Sequence, residues 1–315
     1  MPGKEIVFVL GYARSGTSAL TRIISLCGFA VPETVFGATE LNPTGHWEPV
    51  VATNLNLEFL SSFHAVDDPR MSLMDVEISS ERREDYIRRI QDFLCECPEG
   101  PLVIKEFRIN ELLEFWLEAA SREGYTVKVV IALRCPQEVV CSISAGHRLL
   151  NSGSAIADVP SQLSTETTNA FWLKTNLLAE RHSRSLPRVI VGYGNLIKDW
   201  RFEIDRISTI LAIDLRVNKP AIDAFLTEGL YRQRSSVAVT ETFCYSWMTR
   251  VYDTLSTASR DAPLDTNTLD EIYDAYSMAA RTFGHIWSNF CGRQKQEHLQ
   301  KFVDSLPIWR AGQDF

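Results

Sequence analysis

The sequence predicts a three-layer α/β protein, with helices on both faces of a central parallel sheet. Three observations carry this. Short runs rich in Val, Ile and Leu alternate with longer stretches of helical periodicity. The first run feeds a glycine-marked turn and then a helix. Later runs are separated by helix-length segments, so crossovers rather than hairpins must join them, and the strands lie parallel.

Taken in order, Lys4–Leu10 reads as a buried strand and residues 15–28 as a helix. Residues 53–63 and 81–95 are helical in pattern; in the second, Tyr86, Ile90, Phe93 and Leu94 fall on one stripe. A short strand at 102–105 precedes a helix at 110–122, and a strand at 127–133 precedes a helix at 136–149. A polar break spans 151–163. A long helix at 165–185, a strand at 188–192 and a helix at 199–212 complete the alternation. After residue 216 no strand pattern appears and the chain reads as helical. The expected organisation is a single domain over 1–315, with an α/β core at about 4–215 and a helical part at about 216–315.

Composition narrows the function. The chain has 315 residues, 45% hydrophobic and 23% charged, which excludes disordered and fibrous classes. A net charge of -8 argues against a broad nucleic-acid surface but leaves room for a local basic pocket. The seven cysteines are scattered, with no Cys-x-x-Cys pair, which points to a reducing, cytoplasmic setting. No His, Asp and Glu cluster has metal-ligand spacing, so no metal is expected. The apolar run at 6–10 is too short for a signal segment or a membrane span.

The chemistry starts at Gly11-Tyr12-Ala13-Arg14-Ser15-Gly16-Thr17-Ser18, between the first strand and its helix. There, loop amides and a helix N-terminus favour an anion. The Gly-x-x-x-x-Gly spacing is that of a nucleotide-triphosphate loop, but Thr17 stands where such loops carry lysine. A cation is present instead at Arg14, inside the loop. The loop therefore suits a phosphate-like group without the lysine that serves β- and γ-phosphates.

This run resembles the 5′-phosphosulfate loop of sulfotransferases that use 3′-phosphoadenosine-5′-phosphosulfate (PAPS), the bacterial group above all. Ala13 replaces the usual proline. The resemblance implies a nucleotide-triphosphatase-like sulfotransferase fold, with Ala13, Arg14, Ser15, Gly16, Thr17 and Ser18 around the 5′-phosphosulfate. It extends to Arg134 at the end of the 127–133 strand and Ser142 eight positions later, which in that family hold the 3′-phosphate. Further stretches agree: 102–108 with Lys105, Glu106 and Arg108; Asn42-Pro43-Thr44-Gly45-His46-Trp47-Glu48; and 189–196, whose Tyr193 would lie near the cofactor. In the last, Gly194 and Asn195 replace an acidic pair. Arg232 and Arg234 suggest a late basic loop over the 3′-phosphate, or a solvated turn.

Sulfuryl transfer needs in-line placement and charge stabilisation more than covalent help. Arg14 and the loop amides would stabilise the leaving oxygen, and Lys105 would supply a second cation. The acceptor hydroxyl needs a base. Phe107 stands where some relatives have histidine, which favours Glu48, with Glu106 and His46 as reserves. Trp47, Phe59, Phe63, Trp116, Phe171 and Trp172 are assigned to core rather than to an acceptor pocket. The expected partner is a small-molecule or carbohydrate acceptor bearing a hydroxyl. The rival functions are a P-loop small-molecule kinase and a non-catalytic nucleotide-binding protein that kept the fold.

Overall fold

The computed structural model of the chain describes residues 4–39, 42–63, 76–153, 164–226, 239–243 and 245–291. Four parallel strands form its sheet: β1 (Lys4–Leu10), β2 (Leu102–Ile104), β3 (Tyr125–Leu133) and β4 (Arg188–Gly192), in the order β2-β1-β3-β4. Alternation along the strands divides the core in two. Ile6, Phe8, Leu10, Ile104 and Ile131 face one side, against α2 (Val50–Ser61), α3 (Ser80–Glu96), α4 (Ile109–Arg122) and α6 (Thr165–His182). Val7, Val9, Val103, Val130 and Val191 face the other, against α1 (Thr17–Leu26), α7 (Tyr193–Lys198), α8 (Trp200–Leu211) and α9 (Lys219–Phe225). Because both faces are covered, the strands read as continuous apolar runs. This is the three-layer α/β/α architecture expected.

The strand order creates the site. From β1 the chain crosses to β2 on one side, whereas from β3 it crosses to β4 on the other. The C-terminal ends of β1 and β3 therefore part at a topological switch point, where such sheets bind ligands. The β1–β3 register runs from Lys4 against Tyr125 to Leu10 against Ile131, which brings the two strand ends level.

Several boundaries differ from the sequence pattern. Helix α1 starts at Thr17 rather than 15, because Ser15 and Gly16 belong to the loop. Helix α2 starts early, at Val50, directly after Pro49, whose fixed φ suits a helix start. Helix α5 (Pro136–Gly153) runs into the expected polar break, and 154–163 lie outside the described residues. Helix α7 was not expected, since Gly194 and Asn195 are weak helix formers. Past residue 216 the described residues contain α9, α10 (Trp247–Ala258) and α11 (Thr266–Cys291), and no strand. Helix α11 is tied to α6 by Asp270, which accepts from Arg181 at 2.6 Å and Arg184 at 2.8 Å.

Candidate active site

The loop after β1 is fixed from both ends. The Gly11 amide donates to Asn110 Oδ1 at 2.9 Å, and Asn110 Nδ2 donates to the carbonyls of Gly11 (3.3 Å) and Phe107 (2.6 Å). Gly11 has φ 127°, and a Cβ there would lie 2.5 Å from the Ala132 carbonyl oxygen on β3. At the other end Gly16, with φ 95°, lies under the Tyr193 ring, 2.2 Å from where a Cβ would sit. Neither position admits a side chain. Gly16 is also the N-cap of α1 and offers no side-chain cap. The first amides of α1, which have no carbonyl within the helix, remain for something negative. Ser15 is 1% exposed, and its hydroxyl has no hydrogen-bond partner.

Three predicted residues meet beside this loop. Arg14 Nε donates to Ser142 Oγ on α5 at 3.0 Å, and Arg134 Nη1 donates to the Arg14 carbonyl at 3.0 Å. Arg134 also donates to Glu138 at 2.9 Å, and its guanidinium lies 4.9 Å from the Tyr193 ring centroid. The carbonyl of Arg134 accepts from the Trp172 indole, which pins the end of β3. Arg14 has φ 64°, an unusual backbone for a non-glycine residue. Desolvation and the adjacent Arg134 cation lower its pKa. No carboxylate among the described residues forms a salt bridge with Arg14, whereas Arg134 is paired with Glu138.

A second group stands at the end of β2. Lys105 Nζ pairs with Glu48 at 2.6 Å and donates to the His46 carbonyl at 3.3 Å. That carbonyl also accepts from Ser18 on α1 at 3.1 Å. His46 Nε2 lies 2.9 Å from the Thr39 hydroxyl. Burial lowers the His46 pKa, the Lys105 and Arg14 cations lower it further, and Glu48 opposes them. Next in the chain, Trp47 takes φ 61°, a conformation that costs an L residue about 1–2 kcal/mol.

Glu106 has a different place. It is 1% exposed, accepts from the Arg108 amide and guanidinium at 2.9 Å each, and takes a short hydrogen bond from Asn56. Asn56 in turn accepts from Trp116 at 3.1 Å and from Tyr86 at 2.5 Å. Burial raises the Glu106 pKa despite Arg108. The side chain is held in a network among α2, α3 and α4 and is committed to partners there.

Of the other predicted positions, Ala13 is exposed at the loop, while Thr17 is buried with its carbonyl bonded by Thr21. Arg232 and Arg234 lie outside the described residues. Phe59, Trp116, Phe171 and Trp172 are core, Phe63 packs against it, and Trp47 lies under Arg22. Sequence reasoning missed Asn110, Glu138, Asn56 and the role of Asn42, which donates to Gly45 at 2.7 Å. Only Glu138 carried a signal, four residues after Arg134 at a helix start.

The arrangement defines a parallel α/β protein whose first loop, with the N-terminus of α1, lies at its switch point. No protein-family model matches the sequence, and no curated protein matches it. Several solved structures are similar to it, three of them as follows. One is the sulfotransferase domain from the Synechococcus PCC 7002 olefin synthase, at 17% identity over 90% of this chain and 97% of that one, TM-score 0.39. The sulfotransferase domain from the curacin biosynthetic pathway has 14% identity over 83% and 99%, TM-score 0.41. Sulfotransferase STF9 from Mycobacterium avium has 14% identity over 88% and 76%, TM-score 0.41. Among the described residues no group of three or more His, Cys, Asp or Glu is placed to hold a metal ion. No helix among them is long and apolar enough to cross a membrane.

Proposed function

We propose that the protein transfers the sulfuryl group of PAPS to a hydroxyl of an acceptor. The observation that carries this is the Arg14 guanidinium at the switch crevice, beside Ser142 and the Arg134 cation and without a carboxylate to neutralise it. Two guanidinium groups repel each other, and a bound polyanion relieves the repulsion. The orphan hydroxyl of Ser15 and the first amides of α1 suit the same ligand. The residues present fit a donor with a 5′-phosphosulfate on the loop and a 3′-phosphate toward Arg134 and Ser142.

When bound there, the donor supplies an activated sulfuryl group, whose bond to the bridging oxygen breaks as the acceptor oxygen bonds to sulfur. Arg14 and the loop amides stabilise the charge that develops on that bridging oxygen. Glu48 takes the acceptor proton, and Lys105 orients the carboxylate that does so. Glu106 is left out of this role because its oxygens are already engaged by Asn56 and Arg108. Kinase chemistry on the same loop is disfavoured, since the Walker lysine position is held by buried Thr17.

The test is binding of the product, 3′-phosphoadenosine-5′-phosphate, read as a rise in Tm and by calorimetry. Wild-type protein is expected to bind it, and Arg14→Ala to weaken binding about 10- to 100-fold, the worth of one charge-assisted contact. Absence of wild-type stabilisation at saturating ligand overturns the reading.

A further inference from the structure

Four non-glycine residues among those described have positive φ: Arg14, Trp47, Ala212 and Asp261. Ala212 is the C-cap of α8, and Asp261 closes a turn just after α10, where helix ends account for them. The other two flank the site. Arg14 belongs to the loop already described, but Trp47 is explained by neither helix end nor loop.

What Trp47 accomplishes is visible in its neighbours. The reversal at Trp47 turns the His46 carbonyl and the Glu48 carboxylate toward one cation, Lys105 Nζ, at 3.3 and 2.6 Å. The same carbonyl receives Ser18 Oγ at 3.1 Å, so one backbone oxygen links α1 to the end of β2. The indole is fastened twice: Nε1 donates to the Thr44 carbonyl at 2.9 Å, and the Arg22 guanidinium stands 4.5 Å from the ring centroid. Arg22 and Ser18 are one helical turn apart on α1, hence on one face. Segment 42–48 is thus docked on the face of α1 that follows the anion loop.

We infer that Arg22 and Trp47 are positioning residues, a cation–aromatic staple that holds segment 42–48 against α1 and so keeps Glu48 on Lys105. Neither touches the reacting atoms. The staple sets the separation between the loop that takes the anion and the carboxylate assigned to the acceptor proton. The chemical consequence for turnover rests on the sulfotransferase reading, but the staple itself does not.

The His46 imidazole reports the staple without any ligand. It faces Glu48 in its own segment, Lys105 from the end of β2 and Arg14 from the loop, and its environment holds its pKa below the ordinary value of about 6.5. We would follow the His46 ring proton by NMR against pH in the full chain, with assignment by His46→Gln. Arg22→Ala is expected to shift the titration up toward the ordinary value, and Arg22→Lys, which keeps a cation over the ring, to restore it. Trp47→Gly tolerates φ 61° without strain yet lacks the ring, so it should behave as Arg22→Ala does. An unshifted titration in Arg22→Ala, or a wild-type titration in Trp47→Gly, overturns the staple. Binding of 3′-phosphoadenosine-5′-phosphate is expected to stay within about twofold in Arg22→Ala, because the loop amides, Arg14 and Arg134 are untouched. A wild-type chain that fails to bind this bisphosphate sinks the sulfotransferase reading alone and leaves the titration test standing.

Discussion

The cations at the ends of β1 and β2 are treated in opposite ways. Arg14, at the end of β1, meets a hydroxyl and a second guanidinium, so its charge is left over. Lys105, at the end of β2, is neutralised by Glu48 at 2.6 Å and is 7% exposed. A leftover cation at a helix N-terminus attracts an anion, whereas a neutralised pair does not. What Lys105 provides instead is a fixed carboxylate. The difference teaches that adjacent strands of one sheet end in an uncompensated cation on one side and a cation–carboxylate pair on the other, which under the proposed reaction would bind the charge and hold the base.

The sharpest way to break that comparison is to exchange carboxylates. Glu48→Gln should lower sulfuryl transfer to an acceptor by about 10²- to 10⁴-fold, the usual worth of a general base, with bisphosphate affinity retained. Glu106→Gln should do something else. It removes the negative partner of Arg108 and sets an amide against the Asn56 amide. Breaking such a buried pair costs about 3 kcal/mol or more, seen in urea unfolding, while transfer by the folded fraction should persist. If Glu106→Gln abolishes transfer at unchanged stability, the two carboxylates have been assigned the wrong way round.

Glycines on the two sides give a smaller contrast. Gly16→Ala places a methyl within 2.2 Å of the Tyr193 ring, which is held in turn beneath Arg134. Gly45→Ala in segment 42–48 meets Trp47 Nε1 at 3.0 Å, the edge of one side chain. Both have positive φ, so both are strained. Gly16→Ala should lose about 2 kcal/mol of stability and weaken bisphosphate binding, and Gly45→Ala should lose less and leave binding in place. Chemical denaturation and calorimetry on the pair measure both effects.

The same division explains what could be seen in the sequence. The strand Lys4–Leu10, its glycines and Arg14 are contiguous, so local pattern revealed them. Arg134 and Ser142 were legible only through the resemblance to the sulfotransferase family, which supplied their spacing of eight. Asn110, by contrast, grips Gly11 from 99 residues away, and nothing near it in the chain says so. Asn56 reaches Glu106 across 50 residues and Trp116 across 60. The sequence preferred Glu48 to Glu106 only through the resemblance, by the absence of a histidine at Phe107. Consecutive residues leaving a strand point to opposite sides, and the pattern around Lys105-Glu106 does not tell which side is the crevice. The partner that engages Glu106, Asn56 of α2, is brought to it only by packing.

The smallest effect concerns His46. Its folded pKa lies below the ordinary value, so above about pH 6.5 it is neutral in both folded and unfolded chains and contributes no pH dependence. As pH falls from there toward the folded pKa, the unfolded chain binds the proton first, and stability declines. His182, half-buried against the Asn110 carbonyl at 3.0 Å, has the same sign. Glu106 has the opposite sign: its raised pKa favours the fold below the ordinary carboxylate range, and that advantage is lost as pH rises through the folded value. Between pH 7.5 and 5.5, Tm of the wild type should therefore fall relative to that of His46→Gln, which lacks the His46 contribution. The carbonyl that ties Lys105 to Ser18 belongs to the backbone and survives that substitution, so His46→Gln should keep its bisphosphate affinity. Equal pH slopes in the two proteins would remove His46 from the crowded cations at the end of β2.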